Sequence, residues 1–192
     1  MSRLSLSDAD KKARDWFHKT MVGFGCSVTV DEMGNQFAIR LGLKEGAPTY
    51  AGSHLDTQPT GGRYDGILGV TAAVEMMRVI ATQDVKTEYP IGVVNWTNEE
   101  GARFPISMVS SGVWAGEIPL EKAHNLASVV PGEEKSTMKT ELERIGYKGE
   151  VACSHKAKPM AAHFELHIEQ GPTLENEQRK IGIVEGVQAY RW

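Results

Sequence analysis

Pro90-Ile91-Gly92-Val93-Val94-Asn95-Trp96 is apolar nearly throughout and runs directly into Thr97-Asn98-Glu99-Glu100-Gly101. Such a run, without polar alternation, reads as a strand covered on both faces, as in a parallel sheet of an α/β protein. The flanks agree. Residues 67–81 predict a strongly apolar helix, preceded by the short strand Thr49-Tyr50-Ala51-Gly52. Further upstream, residues 26–30 and 36–41 flank Met33-Gly34-Asn35 and predict a hairpin with a Gly-Asn turn. Before it, Ser7 caps a helix in which Ala9, Ala13, Trp16, Phe17 and Met21 recur at helical spacing until Gly23 and Gly25 stop it. Downstream, a helix is expected over 106–115, shorter helical pieces around 120–126 and 138–145, and strands over 163–168 and 181–187. The mixed charges of 117–158 (Glu133, Glu134, Lys135, Lys139, Glu141, Glu143, Arg144) read as a solvated face. The alternation implies an α/β sandwich with a largely parallel sheet, the hairpin adding antiparallel strands at one side.

Composition narrows the classes. The 192 residues suit one domain, and 21 Lys and Arg against 25 Asp and Glu give a net charge of −4. No basic block offers a footprint for nucleic acid. The longest stretch without a charged side chain, residues 104–116, is too short and too rich in Ser and Gly to span a membrane, which takes about 20 apolar residues. Met1-Ser2-Arg3-Leu4-Ser5-Leu6-Ser7-Asp8 lacks the apolar segment of a secretory signal. Cys26 and Cys153 cannot make a disulfide framework, so free thiols and a cytoplasmic setting are expected.

Four clusters could carry chemistry. Gly52-Ser53-His54-Leu55-Asp56-Thr57 follows a strand, where ligand sites of open α/β sheets collect. There His54 could be a metal ligand oriented by a carboxylate, or a loop His beside a solvated Asp. Gly61-Gly62-Arg63-Tyr64-Asp65-Gly66 precedes the 67–81 helix, so Asp65 is either a capping residue or a ligand near a helix N-terminus. Glu99 and Glu100 end the buried strand; a cation would relieve their repulsion, one Glu acting as ligand and the other handling protons. A surface acidic pair is the alternative. On a strand, His163, Glu165, His167 and Glu169 would share one face. His18, His124 and His155 read as surface residues and Cys26 as core filling. Together the clusters offer a ligand set for one or two zinc-like ions.

In this order the motifs, with His167-Ile168-Glu169-Gln170-Gly171-Pro172 as the last, resemble the hydantoinase/carbamoylase branch of the dinuclear-zinc amidohydrolases. Asn98-Glu99-Glu100-Gly101-Ala102-Arg103-Phe104 belongs to the same pattern. That branch includes N-carbamoyl-L-amino-acid hydrolases, fungal-type β-ureidopropionase and allantoate amidohydrolase, and is related to aminoacylases and zinc peptidases. Spacings of 11, 35 and 67 residues separate His54, Asp65, Glu100 and His167. The resemblance implies a zinc-peptidase-like catalytic domain with a mostly parallel sheet flanked by helices. It implies that His54, Asp65 and His167 hold one divalent ion, that Asp65 bridges to a second bound by Glu100, and that Asp56 orients His54. Glu99 would be the general base, with Gln170 and Arg103 near the substrate. Zinc is the expected metal, with manganese, cobalt or nickel as alternatives. The implied substrate is a ureido or N-carbamoyl acid, hydrolysed at a C–N bond that is not a peptide bond, with neither nucleic acid nor membrane as partner.

Members of that branch run to about twice this length, by resemblance, and form homodimers through a lid domain. Residues 1–187 would be the metal-binding catalytic portion, with its sheet incomplete at the C-terminus. Residues 188–192 would begin the lid. With the remaining ligand of the second ion absent, the isolated chain should turn over slowly. The alternatives are a fragment acting only with a partner, and a zinc aminoacylase or peptidase, which His167 in the ligand position disfavours.

Overall fold

Val93 and Val94 are adjacent, point to opposite faces of their strand, and are both fully buried. This places the central apolar run inside the sheet, as expected. The protein is described by a computed structural model covering residues 1–133 and 135–186. Helix α1 (Asp8–Gly23) precedes strands β1 (Ser27–Val30), β2 (Gln36–Arg40) and β3 (Thr49–His54). Helix α2 (Ile67–Thr82) then leads to β4 (Ile91–Trp96). After it come α3 (Val109–Ala115), α4 (Leu120–His124), α5 (Met138–Arg144), β5 (Ala162–Phe164) and the single turn α6 (Thr173–Asn176).

The sheet order is β1-β2-β4-β3-β5. Strand β2 runs against both β1 and β4, whereas β3 is parallel to both β4 and β5, so every strand but β2 points one way. The largely parallel sheet with a hairpin at one side is therefore present. Helices α1 and α2 cover one face, packing Phe17, Met21, Val70, Val74 and Met77 around Ala38 and Val93. The other face is aromatic: Phe37, Tyr50 and Trp96 surround Val94, and Trp114 of α3 packs against them. A third cluster joins Leu6, Met33, Phe104, Val109, Met138 and Leu142.

Local chemistry explains the boundaries. The Ser7 side chain accepts the Asp10 amide, so α1 begins where its capping residue dictates. The hairpin is closed not by a two-residue turn but by Asp31-Glu32-Met33-Gly34-Asn35. Asp31 Oδ1 accepts the amides of Met33 and Asn35, and Oδ2 accepts from the Asn35 side chain.

Several expectations need correction. Helix α3 starts at Val109 because residues 99–108 form a loop braced by Asn98. The strand expected over 163–168 stops at Phe164, so the four polar residues do not line one strand face. Residues 181–186 alternate in sequence yet pair with no strand among the described residues; Ile183 is 90 % exposed. Alternation only permits a strand, whereas a strand requires a neighbour. Val187 and residues 188–192, expected to begin a lid, lie outside the described residues, as does Glu134. His124 is buried, its Nε2 3.0 Å from the Glu32 carbonyl. Glu141 is buried too, paired with Arg103 and Arg144 rather than solvated. No helix among the described residues is long and apolar enough to cross a membrane.

Candidate metal centre

Because β3, β4 and β5 are parallel and adjacent, their carboxyl ends open onto one region. His54 is the last residue of β3, Thr97-Asn98-Glu99-Glu100 follows β4, and residues 165–170 follow β5. Asp65 arrives on the loop before α2. Four segments far apart in sequence thus converge where this sheet class binds ligands.

His54, Asp65 and His167 each offer a ligand atom, all within 4.8 Å of one another. His54 Nδ1 lies 2.9 Å from the Asp56 carbonyl oxygen, which can only accept, so the proton belongs on Nδ1 and Nε2 keeps its lone pair. His167 repeats the device, with Nδ1 2.6 Å from the Ile168 carbonyl and Nε2 3.2 Å from Asp65 Oδ1. His54 Nε2 is buried without a hydrogen bond, 3.8 Å from Asp65 Oδ1 and 3.4 Å from Glu99 Oε2. An orphaned nitrogen aimed at carboxylates has the placement a cation requires.

Asp56 is buried, and both its carboxylate oxygens accept main-chain amides, those of Glu99 and Glu100, each at 3.2 Å. One residue therefore orients His54 through its carbonyl and anchors the Glu-Glu turn through its carboxylate. That turn depends on Asn98, buried at φ +55°, whose Nδ2 donates to the carbonyls of Phe104 and Ile106. Asn tolerates this left-handed conformation better than most side chains.

Electrostatics show what the site favours. Burial works against a charged His54, but the carboxylates of Asp56, Glu99 and Glu100 outweigh it and hold the imidazole above its usual range. Burial also pushes Glu99 up to about 6, aided by the charges of Asp56, Glu100 and Glu165. Carboxylates of Asp56, Asp65, Glu99 and Glu100 gathered around two imidazoles make a setting that favours positive charge.

The other expected residues fall differently. Glu100 is outside the His-Asp-His group, and its Oε2 accepts from Gln58 Nε2 at 2.9 Å. Gln170, at φ +56°, donates to Asp65 Oδ2 at 2.7 Å. Arg103 is 4 % exposed and committed to the Ser5 carbonyl, Glu133 and Glu141, so it braces the fold. Its guanidinium does not join the cluster, because those acceptors, with Ser5 and Glu141 buried, hold it. Glu169 caps the turn at Thr173 and Leu174. Sequence reading missed Gln58, Asn98, Gly66 and the Ser53–Glu165 contact; for Asn98, its place between a buried strand and two carboxylates was the available signal.

Gly66 shows how closely the site is packed. At φ +69°, a Cβ there would stand 2.4 Å from His54 Cε1. Gly66→Ala is therefore expected to destabilise the fold by more than about 1 kcal/mol in urea unfolding and to shift the His54 ring resonances. Unchanged stability and spectra would refute this packing.

The sheet, its carboxyl-end site and the His-Asp-His group define an α/β domain with a candidate metal centre. The chain belongs to peptidase family M20/M25/M40, whose model matches residues 50–190. Among its relatives, the N-carbamoyl-L-amino-acid amidohydrolase of Rhizobium meliloti is 46 % identical over all of this chain and 45 % of its own. The ureidoglycolate hydrolase of Oryza sativa subsp. japonica is 35 % identical over 98 % of this chain and 40 % of its own. The crystal structure of a hydantoinase/carbamoylase family amidase from Burkholderia multivorans superposes with a TM-score of 0.88. It is 49 % identical, over 93 % of this chain and 42 % of that one. The chain thus spans less than half the length of these relatives.

Proposed function

We propose that this chain carries the metal-binding part of a hydrolase that cleaves the carbamoyl or ureido C–N bond of N-carbamoyl amino acids. One observation carries the reading: two imidazoles present bare Nε2 atoms to a shared carboxylate, and one of those atoms is buried without a hydrogen bond. Imidazole and carboxylate suit zinc, manganese, cobalt and nickel. The names of the relatives supply the bond class.

His54, Asp65 and His167 would hold one ion. Asp65 and Glu100 would share a second, which must displace the amide hydrogens now donated by Gln170 and Gln58. A divalent ion bound here would supply Lewis acidity, lowering the pKa of water and polarising a carbonyl oxygen. Both are useful here, since two nitrogens donate into a ureido carbonyl and weaken it as an electrophile. Glu99 acts as the base: it takes a proton from the attacking water and passes one to the leaving nitrogen as the C–N bond breaks. Burial pushes its carboxyl up to about 6, which makes it a readier proton acceptor than an exposed Glu. Asp56 keeps His54 and Glu99 in register. Amino acid, ammonia and carbon dioxide are the products. Gln170 would reach substrate only after releasing Asp65.

The test combines metal analysis with ammonia release from N-carbamoyl-L-amino acids and N-carbamoyl-β-alanine, against cleavage of N-acetyl amino acids. Retained divalent metal and slow ammonia release are expected; no retained metal overturns the reading, and preferential N-acetyl cleavage moves it to the acylases. Turnover near the enzyme median of about 10 per second would refute the expectation that the chain alone is slow. A second reading, that the chain works only with a partner segment, is favoured by the exposed Phe164, Ile181, Ile183 and Val184. A well-behaved monomer in sedimentation would argue against it.

A further inference from the structure

Within His163-Phe164-Glu165-Leu166-His167, the chemistry above gives no task to His163 or Glu165, and of the two Glu165 reaches across to β3. Its Oε1 accepts a 2.5 Å hydrogen bond from the hydroxyl of Ser53, whose residue is 1 % exposed. No ion pair ties Glu165 to a Lys or Arg among the described residues. The ladder between β3 and β5 ends at Ala51 and Phe164, so this side-chain bond continues the seam where backbone pairing stops. Ser53 immediately precedes His54, and Glu165 lies two residues before His167. Helix α2 closes over both strands of the seam: a Cβ on Gly69 would stand 2.7 Å from Ser53 Cβ and 2.9 Å from the Leu166 carbonyl oxygen.

We propose that the Ser53–Glu165 hydrogen bond is a clip that fixes the spacing of His54 and His167, making Glu165 a positioning residue of the metal centre. His54 is held by β3 on its own account, but His167 follows a strand of three residues and is itself partly exposed. Without the clip, the chain after Phe164 would be held at this point by the packing of Leu166 on α2 and by the cluster itself, with no side-chain bond to β3. Partners that orient metal ligands typically govern affinity by about 10–100-fold.

The inference rests on the metal reading above, and cobalt separates the two. Co(II) is titrated into the intact chain and into Ser53→Ala, Glu165→Ala and Glu165→Gln, with calorimetry for affinity and visible absorption for ligand geometry. Ser53→Ala and Glu165→Ala are expected to weaken cobalt binding about 10–100-fold and alter the spectrum. Glu165→Gln, whose amide oxygen still accepts from Ser53, should restore both. Unchanged binding in Ser53→Ala overturns the clip while leaving the metal centre standing. Equal loss in Glu165→Gln and Glu165→Ala also overturns it, since charge rather than the bond would then matter. Should Glu165→Ala fail to fold, Ser53→Ala decides alone. Failure of the unaltered chain to bind cobalt overturns the metal reading and the clip together.

Discussion

Glu99→Gln is expected to slow hydrolysis of an N-carbamoyl amino acid by about 10²–10⁴-fold, the usual contribution of a positioned general base. Metal content should not change. Glu99 lies outside the His-Asp-His group, while its amide, held by Asp56, keeps the turn in place whatever the side chain. The replacement keeps the side-chain shape but removes the negative charge and with it the ability to accept a proton, in a group that burial already brings to about 6. Ammonia release in a single turnover of the metal-loaded chain is the measurement, since one slow cycle is enough to read. A variant as fast as the parent removes Glu99 from the mechanism. A variant that loses its metal makes Glu99 a ligand instead.

Arg14→Ala should lower stability by about 3–5 kcal/mol, because it leaves a buried carboxylate without its countercharge. Arg14 is fully buried in α1, with Nε 2.7 Å from Asp10 Oδ2, Nη1 2.7 Å from the Gly34 carbonyl and Nη2 3.0 Å from Thr97 Oγ1. The Tyr147 ring lies against the guanidinium, 5.6 Å from its centroid. Asp10 is buried as well; its Oδ1 has no hydrogen bond, and without Arg14 its Oδ2 would keep only the Leu6 amide at 2.8 Å, which carries no countercharge. Set against a typical domain stability of about 5–15 kcal/mol, the loss is large. Urea unfolding should show a lower midpoint at unchanged slope. The double variant Asp10→Asn, Arg14→Met should recover part of it, since replacing both members of a buried pair is far less costly than removing one. A single-variant loss below about 1 kcal/mol would mean water reaches the pair, contrary to its burial.

The same helix shows how far a one-dimensional reading goes. Its boundaries follow from Ser7 and the terminal glycines, and Phe17 and Met21 are buried as the spacing requires. Yet Trp16, counted on the apolar face, is 44 % exposed, while Asp10 and Arg14 sit inside. Two opposite charges that cancel can occupy a core position, and hydrophobic spacing is blind to that pairing. His124 and Glu141 read as surface residues for the same reason: their partners, the Glu32 carbonyl and the Arg103 and Arg144 side chains, are distant or unmarked in sequence.

For the site, the residue types and their order were legible, because a strand end followed by His, Asp or paired Glu is local. Which of them meet was not. Glu100 faces Gln58, Gln170 faces Asp65, and Arg103 belongs to a buried ion cluster. Each outcome depends on a side chain far away in sequence.

What the sequence determined by itself were the elements: a buried central strand from an unbroken apolar run, helices from caps and spacing, and acidic and imidazole groups at strand ends. These follow from interactions within a few residues. Only the tertiary structure decided that β2 alone reverses, that β5 stops at Phe164, that 181–186 finds no partner among the described residues, and that two histidines share one carboxylate. Pairing, burial and proton placement are set by contacts between distant segments, and the linear order of residues does not encode those distances.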